Sequence, residues 1–336
     1  MHTTNSSINN GIRLVLPCIS LTDQEIHFKK NKIISRGHSC VEEEKTENVL
    51  TVREEFLKPL PLDDIVVGPI DKNQKQTLCN LLQEYRDCFS LTTSELGCSK
   101  TAKMEIALHE EKPFSYRPCR MARTEQNVVK DIVEELLSNN IVRESNSEYS
   151  SPVLLVKKKN GEQRMCVDYR KLNSLCVKDN QPLPRIDDQI DKLQAGNYFT
   201  SLDLKSGYHQ VEIEESSKHY TAFVTPEGQY EYNRVPFGLS NAPRVFQRLM
   251  TNIMRPIRAN SALYLDDVLL YATTVEESFK ILRQALDIMR NEGLTLNLTK
   301  CSFLKSKVTY LGYDLEHGTV KPEVDKTKAV KNFPVP

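Results

Sequence analysis

The sequence has no long apolar run. A helix that spans a membrane needs about 18 consecutive apolar residues, and no stretch of the chain supplies them. The first 21 residues also lack the uninterrupted apolar core of a secretory signal peptide. We therefore expect a soluble, intracellular chain that has no membrane partner.

An excess of charge of either sign is also absent, because 45 lysines and arginines balance 45 aspartates and glutamates. No long-range field then attracts the protein to nucleic acid or to a membrane surface, so nucleic-acid binding must depend on local basic patches. The nine cysteines include no Cys-x-x-Cys pair and no spaced Cys/His set, which argues against a structural zinc site. An odd number of cysteines without a secretory signal favours reduced thiols.

The first 137 residues carry structural patterns but no chemical motif. Residues 1–70 alternate short apolar runs with charged stretches, and we interpret them as a leader of unknown fold that is β-leaning or partly ordered. Residues 71–137 are predicted to be a helical and connecting region. Its first helix, from Asp71, places on one face Leu78, Leu81, Leu82, Tyr85 and Phe89. A second helix has its apolar face around Val129 and Val133 and ends near Asn139-Asn140.

Residues 138–316 alternate strand and helix patterns. Residues 152–162 predict a strand that runs into an Asn160-Gly161 turn, and residues 164–169 return as its partner. Three lysines and Arg164 then surround one turn, which by itself is typical of a solvated basic hairpin. Residues 199–204 predict a strand with Asp203 near its end, and residues 211–213 and 220–224 predict two more.

The C-terminal half adds two helices and a hairpin. Asn241 as N-cap and Pro243 in the first turn suit the start of one helix. A capping box at Thr274 begins the next helix, which Gly293 ends. Residues 308–315 predict a further pair of strands or a tight hairpin. This order of elements indicates an α+β fold, with an antiparallel sheet that has helices on one face.

Two adjacent carboxylates, Asp266 and Asp267, lie between the apolar runs 262–265 and 268–271. This pattern is typical of a hairpin whose tip holds acids out of the core, and alone it fits a solvated turn as well as a metal site. If the strand of Asp203 neighbours this hairpin, the three carboxylates meet. Such a set holds two Mg²⁺ ions about 3.5 to 4 Å apart and supports in-line phosphoryl transfer.

Six blocks of the chain resemble the reverse transcriptases of gypsy-type LTR retrotransposons, relatives of the retroviral enzymes. In order they are SSPVLLVKKKNGEQRMCVDYRKLN, QPLPRIDDQIDKL, FTSLDLKSGYHQVEI, TAFVTPEGQYEYNRVPFGLSNAPRVFQRLM, LYLDDVLLYA and KCSFLKSKVTYLGYDL. The resemblance implies a right-hand polymerase with its fingers and palm in residues 138–316. It also implies an RNA-directed DNA polymerase that uses two Mg²⁺ ions, with Mn²⁺ as the alternative, a primed RNA or DNA template, and dNTPs.

The resemblance assigns the metal to Asp203 and Asp266 as principal ligands, with Asp267 completing the acidic set. Tyr264 and Leu265 would flank the primer end. These expectations concern the catalytic step itself.

The same resemblance assigns the nucleotide pocket. Lys158 and Arg164 would close on the triphosphate, although Lys157 or Lys159 could take the role of Lys158 after a one-residue slip of the hairpin. Tyr208 would lie beneath the sugar and exclude a 2′-hydroxyl; the alternative is a tyrosine packed in the core.

Two further stretches complete the expected site. Phe237 would contact the nucleotide, and Tyr310, Leu311 and Gly312 would form a hairpin that grips the primer. Plain packing is the alternative for both stretches.

The chain also departs from the family. Gln163 stands where many relatives have tryptophan. Residues 317–336 are expected to be a truncated start of the thumb or a linker, so that the thumb is largely absent. The protease, RNase H and integrase of a Pol polyprotein are missing, which favours a fragment of a longer polyprotein. In this family reverse transcription is usually cytoplasmic and takes place inside particles.

Two other functions remain open from the sequence. One is a catalytically incompetent relic that binds nucleic acid without extending a primer. The other is a template-directed RNA polymerase with a related palm, which the matches around Tyr208 and residues 236–243 disfavour.

Overall fold

The computed structural model of the chain describes residues 2–7, 13–18, 57–63, 65–157, 161, 163–316 and 318–323. The chain divides into two compact units, Met1–Leu57 and Lys58–Pro336. In the first unit, strands β1 (His2–Ser7) and β2 (Arg13–Cys18) pair antiparallel as a hairpin. All the predicted site residues belong to the second unit.

The described part of the second unit contains seven α-helices and fifteen strands. The helices are α1 (Lys72–Glu84), α2 (Arg123–Ser138), α3 (Arg170–Leu175), α4 (Ile186–Leu193), α5 (Glu215–Lys218), α6 (Ala242–Ile253) and α7 (Val275–Glu292). The strands are β3 (Val66–Val67), β4 (Lys103–Met104), β5 (Val142–Glu144), β6 (Ser151–Lys157), β7 (Gln163–Val167), β8 (Tyr198–Asp203), β9 (Glu212–Ile213), β10 (Phe223–Thr225), β11 (Gly228–Tyr232), β12 (Ser261–Tyr264), β13 (Asp267–Ala272), β14 (Ser302–Lys305), β15 (Lys307–Tyr310), β16 (Tyr313–Glu316) and β17 (Thr319–Pro322).

A five-stranded sheet carries the predicted acids. Its order is β12-β13-β8-β14-β3, and every pair is antiparallel except β14 with β3. Successive side chains of a strand point to opposite faces. In β13, Val268 and Leu270 therefore join the main core, while Leu269 and Tyr271 join a smaller core on the other face. Both faces of the sheet are covered.

Helices α6 and α7 contribute to the main core, which confirms the predicted α+β fold of an antiparallel sheet with packed helices. Helix α7 begins where expected, because the Thr274 side chain accepts a hydrogen bond from the Glu277 N–H. It ends at Gly293, whose φ of 81° lies in the left-handed region that glycine adopts at low cost.

The opposite face of the sheet is covered by a second layer. Strands β15, β16 and β17 form a three-stranded sheet there, and the short helix α4 adds Ile190 and Leu193. Their side chains pack with Phe199 of β8 and Leu269 of β13. The structure thus adds one short helix to the face opposite α7.

A second five-stranded sheet, in the order β5-β11-β10-β6-β7, contains the predicted basic hairpin. Strands β6 and β7 pair antiparallel from Val153 with Val167 to Lys157 with Gln163. This register agrees with the predicted hairpin. Lys158, in the connecting turn, lies outside the described residues.

Three local predictions differ from the structure. Helix α1 ends at Glu84, so Phe89 follows it, buried but no longer on its face. Tyr220 belongs to a 3-10 turn, and the strand begins at Phe223. Asn241 occupies the N-cap position of α6, yet within the described chain its side chain makes no capping hydrogen bond. It instead bonds the backbone of Val177 and Asp179, which pass beside it.

Candidate active site

The β12–β13 hairpin has a two-residue turn made of Leu265 and Asp266, because Tyr264 pairs with Asp267. Leu265 has a φ of 56°, which is uncommon for a residue with a side chain and occurs mainly where the surrounding structure enforces it. The side chain of Gln247, from α6, accepts a hydrogen bond of 2.6 Å from the Leu265 N–H. Helix α6 therefore fixes the tip of the hairpin.

The three predicted acids lie at one end of two neighbouring strands. Asp203 ends β8, Asp267 begins β13, and the two are direct cross-strand partners. Asp266 precedes Asp267 in the turn and is exposed. The condition set by the sequence, that the two strands neighbour one another, is met.

The fold partly removes two of these acids from water. Burial raises the pKa of Asp203, an effect that Lys300 opposes and Asp266 reinforces. Asp267 is exposed like Asp266, yet neighbouring protein atoms partly desolvate its carboxylate and raise its pKa, and the charges of Asp266 and Asp203 raise it further. Crowded carboxylates of this kind are stabilised by a cation.

The ammonium of Lys300 is the cation nearest to Asp203, with Nζ 3.5 Å from Oδ1. Lys300 is the last residue of a 3-10 helix, Leu298–Lys300, that precedes β14, and its side chain is 65% exposed. Oδ1 of Asp203 is buried and has no hydrogen-bond partner in the described chain. The Asp203 N–H donates to the thiol of Cys301 at 3.5 Å, and burial raises the pKa of that thiol to about 12.

These carboxylates fit a divalent metal by their chemistry. Hard divalent cations prefer oxygen ligands, and Oδ1 of Asp203 accepts no hydrogen bond from the described residues, with the exposed Lys300 ammonium 3.5 Å away as its neighbouring cation. As they stand, no three His, Cys, Asp or Glu side chains of the described residues are grouped closely enough to enclose an ion. The acids share one end of the sheet without forming a closed cage.

Tyr208 packs against the core, as the second of the two interpretations from the sequence expected. Its ring packs edge-on against Phe246 of α6, with centroids 5.5 Å apart, so it belongs to the protein interior. Burial and the nearby charge of Asp266 raise the pKa of its hydroxyl to about 12. Tyr208 therefore packs against the core and also lies within the electrostatic reach of the acids.

Phe237 lies between Tyr208 and Arg164, which belongs to the β6–β7 hairpin. The rings of Phe237 and Tyr208 meet edge-on with centroids 5.1 Å apart, and Cζ of Arg164 lies 5.4 Å from the Phe237 centroid. Phe237 is 39% exposed. His209 packs against Phe237 at 5.2 Å, and burial lowers the pKa of His209 to about 4. Tyr208, Phe237 and Arg164 thus form one continuous wall.

The predicted primer hairpin lies between β15 and β16. Tyr310 pairs with Tyr313, so Leu311 and Gly312 form a two-residue turn, with φ of 49° and 85°. Positive φ at both turn residues matches the twist of a tight hairpin. Tyr310, Leu311 and Tyr264 all belong to the smaller core. Burial raises the pKa of Tyr310, as does the charge of Asp267, and its hydroxyl has no partner among the described residues.

The sequence analysis missed four residues that support this site: Gln247, Asn173, Cys301 and Lys300. A signal existed for Gln247, because it is a polar residue beside Phe246 and Met250 on the apolar face of α6, where it is only 1% exposed. Asn173 of α3 brackets the loop after Phe237, donating to the Gly238 carbonyl and accepting from the Ser240 N–H, both at 2.8 Å. No sequence pattern indicated the other three.

Comparisons with known proteins identify the family and the fold. Residues 156–315 match the family model of the reverse transcriptase (RNA-dependent DNA polymerase). The chain is 34% identical over 296 residues to the retrovirus-related Pol polyprotein from transposon 297 of Drosophila melanogaster, covering 86% of this chain and 28% of that protein. The enzymatic polyprotein of cauliflower mosaic virus is 32% identical over 237 residues, which cover 69% of this chain and 35% of that protein.

The fold also matches a solved structure, the foamy viral protease-reverse transcriptase in complex with RNA/DNA hybrid. The TM-score is 0.73 at 22% identity, over 85% of this chain and 38% of that one. None of the described helices is long and apolar enough to cross a membrane.

The chain spans only 28% of the transposon 297 polyprotein and 22% of the transposon 412 polyprotein. Dependence on a divalent metal is general in the matched family. The motif order, the family model and these relatives lead to one conclusion: residues 156–315 form a reverse transcriptase domain, and the chain is similar to the part of retrovirus-related Pol polyproteins from transposons that carries it.

Proposed function

We propose that this chain is the RNA-directed DNA polymerase part of a retrotransposon Pol polyprotein and adds deoxynucleotides to a primer 3′-hydroxyl. The observation that carries the proposal is the pairing of Asp203 with Asp267 across neighbouring strands, with Asp266 in the adjoining turn. Beside these acids lies the wall of Tyr208, Phe237 and Arg164. Residues 138–316 are assigned to the fingers and palm.

Asp203 and Asp266 are proposed as the principal ligands of two Mg²⁺ ions, with Mn²⁺ as the alternative and Asp267 as the third acid. When bound, such ions favour the deprotonated primer hydroxyl and neutralise charge on the leaving pyrophosphate. The protein residues orient the reactants. Arg164 and, from outside the described residues, Lys158 attract the triphosphate, since guanidinium and ammonium groups stabilise charge that develops there.

Tyr208 and Phe237 are proposed to line the sugar and base of the incoming nucleotide. The Tyr208 ring is held from behind by Phe246, so it cannot withdraw to admit a 2′-hydroxyl. Burial raises the pKa of its hydroxyl to about 12, further above neutral pH than that of a free tyrosine.

The primer end is assigned to Tyr264, Leu265 and the turn of Tyr310, Leu311 and Gly312. The partners are a primed RNA or DNA template, dNTPs, and the protease, RNase H and integrase parts of a Pol polyprotein. The RNA/DNA hybrid named for the foamy viral relative supports the choice of template. We place the reaction in the cytoplasm, inside particles, by analogy with the family.

Primer extension on an RNA template tests the proposal with the wild-type chain, Asp266→Asn and Asp267→Asn. We expect weak but measurable extension by wild type. Each variant should reduce the rate by at least a hundredfold, because a lost ligand weakens the metal site. Asp131→Asn on the exposed face of α2 is the matched control and should extend as wild type does.

Circular dichroism should show that all four proteins are folded. Equal, background-level incorporation by wild type and both site variants would instead support the catalytically incompetent relic, and binding of the primed template would then separate a nucleic-acid-binding relic from an inert one.

A further inference from the structure

A basic cavity lies at the end of strand β13 away from the acids. Its volume is about 510 Å³, and it is lined by Lys192, Arg255, Pro256, Arg258, Ala259 and Tyr271. Lys192 belongs to the last turn of α4, and Tyr271 lies on β13. The other four come from a 3-10 segment, Arg255–Asn260, that leads into β12.

The cavity wall is anchored to the fold. The Tyr271 hydroxyl donates a hydrogen bond of 2.7 Å to the Ala259 carbonyl, which ties the segment to β13. Met254 and Ile257 are buried beneath the segment. The exposed side chains of Arg255 and Arg258 therefore project from a backbone that is fixed on both sides.

The charge of the cavity is entirely positive. Each of its charged lining residues is a cation: Lys192, Arg255 and Arg258. None of the three makes an ion pair with any residue that the structure describes. Other arginines of the same unit are paired, as Arg283 is with Glu84 and Arg290 with Asp87. Three like charges around one cavity repel each other, and an anion would offset that repulsion.

We propose that this cavity binds a phosphate group, at a site separate from the metal-binding acids. Guanidinium groups match the oxygens of phosphate in a forked geometry, and the lining of this cavity includes two of them together with one lysine. Because the protein has no net charge, the attraction is local to this cavity. Tyr271 lies four residues beyond Asp267 on the same strand face, which places the cavity about 14 Å from the acids.

Two ligands offer the same phosphate chemistry: a nucleic-acid backbone and a free polyphosphate. Sodium tripolyphosphate and a 12-nucleotide single-stranded oligodeoxynucleotide are the two probes. Both are measured by titration calorimetry with the full chain in EDTA, without dNTPs. Since neither metal nor turnover is involved, the result is independent of the polymerase activity proposed above.

The test variant carries Lys192→Gln, Arg255→Gln and Arg258→Gln. The matched control carries Lys72→Gln, Lys75→Gln and Lys280→Gln, which remove the same charge from exposed, unpaired positions on α1 and α7. We expect about a tenfold loss of tripolyphosphate affinity in the test variant, with the control within twofold of wild type. Both triple variants should unfold cooperatively at the same temperature within a few degrees.

The titration with the oligonucleotide distinguishes between these two ligands. If the test variant also loses affinity for the oligonucleotide, the phosphate is that of a nucleic acid. The slope of log K against log[salt] should then become shallower by about one to two units. Loss for tripolyphosphate alone supports a free polyphosphate. Equal affinities of the test and control variants for both probes would overturn the proposal.

Discussion

At the scale of single residues, the site concentrates groups whose charge the fold makes costly. Asp203 loses hydration, faces Asp266, and keeps one buried oxygen without a hydrogen-bond donor in the described part of the chain. Among those residues, Lys300 is the one ion-pair partner of Asp203, at 3.5 Å. A lysine so close to a proposed metal ligand supplies positive charge where the metal is proposed to bind.

Replacing Lys300 with glutamine should therefore strengthen metal binding by the free protein. A dication that approaches Asp203 must overcome repulsion from the ammonium, and exposed charge pairs of this kind contribute about a threefold effect. Electron paramagnetic resonance titration with Mn²⁺ measures the affinity without turnover. Lys280→Gln, on the exposed face of α7, is the control. An unchanged Mn²⁺ affinity in Lys300→Gln would show that the contact has no role in metal binding.

Tyr208 allows a second residue-scale prediction. Tyr208→Val should lower the preference for dNTPs over rNTPs by at least tenfold, because it removes the ring that we propose limits the space beneath the sugar. Tyr208→Phe keeps the ring and its contact with Phe246, so it should retain the wild-type preference. The ratio of kcat/KM for dTTP and UTP measures both. Retained discrimination in Tyr208→Val would restrict this side chain to core packing.

At the scale of elements, two glutamines hold the outer strand of the sheet. The edge strand β12 leaves N–H groups without a strand partner. Gln189 of α4 accepts from the Leu263 N–H at 3.3 Å, and Gln247 of α6 accepts from the Leu265 N–H at 2.6 Å. Both hydrogen bonds join a glutamine side-chain oxygen to a backbone N–H, but only the one from Gln247 lies at the hairpin tip that carries Asp266.

This pair provides an internal control for the role of α6. Gln247→Met and Gln189→Met each remove one acceptor and should cost about 1 kcal/mol of unfolding free energy. Only Gln247→Met should also reduce kcat, by about tenfold, because a shifted tip misplaces the acids. Urea unfolding and single-turnover extension separate the two effects. Equal kcat losses in both variants would mean that α6 has no special role in positioning the tip.

At the scale of the whole molecule, the acids proposed to bind metal also lower the stability of the folded protein. The folded-state pKa values of Asp203 and Asp267 are raised, mainly by desolvation. An acid with a raised folded pKa destabilises the folded state above that pKa, and the penalty fades as the pH falls toward the unfolded value.

Asp267→Asn should therefore raise the Tm of the metal-free protein by about 1–3 °C at pH 7.5. The gain should shrink at pH 4.5, where the folded wild-type carboxyl is increasingly protonated and its penalty is smaller. Differential scanning calorimetry in EDTA at both pH values measures this. Asp131→Asn should show no such gain. A lower Tm for Asp267→Asn at pH 7.5 would contradict the assigned desolvation.

Much of the local structure was predictable because it depends on short-range patterns. The hairpin registers around residues 152–169 and 262–271, the capped helix from Thr274 to Gly293, and the position of Asp203 at a strand end all follow from period, turn and cap residues. The dense family motifs also identified the candidate acids. Where prediction was wrong, as for Asn241, a neighbouring loop offered the side chain other hydrogen-bond partners.

The sequence by itself determined which residues carry charge, which strands and helices form, and to which family the motifs belong, since these depend on neighbours along the chain. Only the tertiary structure decided that β8 pairs with β13, so that Asp203 meets Asp267. It also decided that Gln247 and Lys300 reach the same end of the sheet. The physical reason is that sheet pairing and side-chain packing join residues far apart in the chain, and no local pattern records which distant partner is chosen.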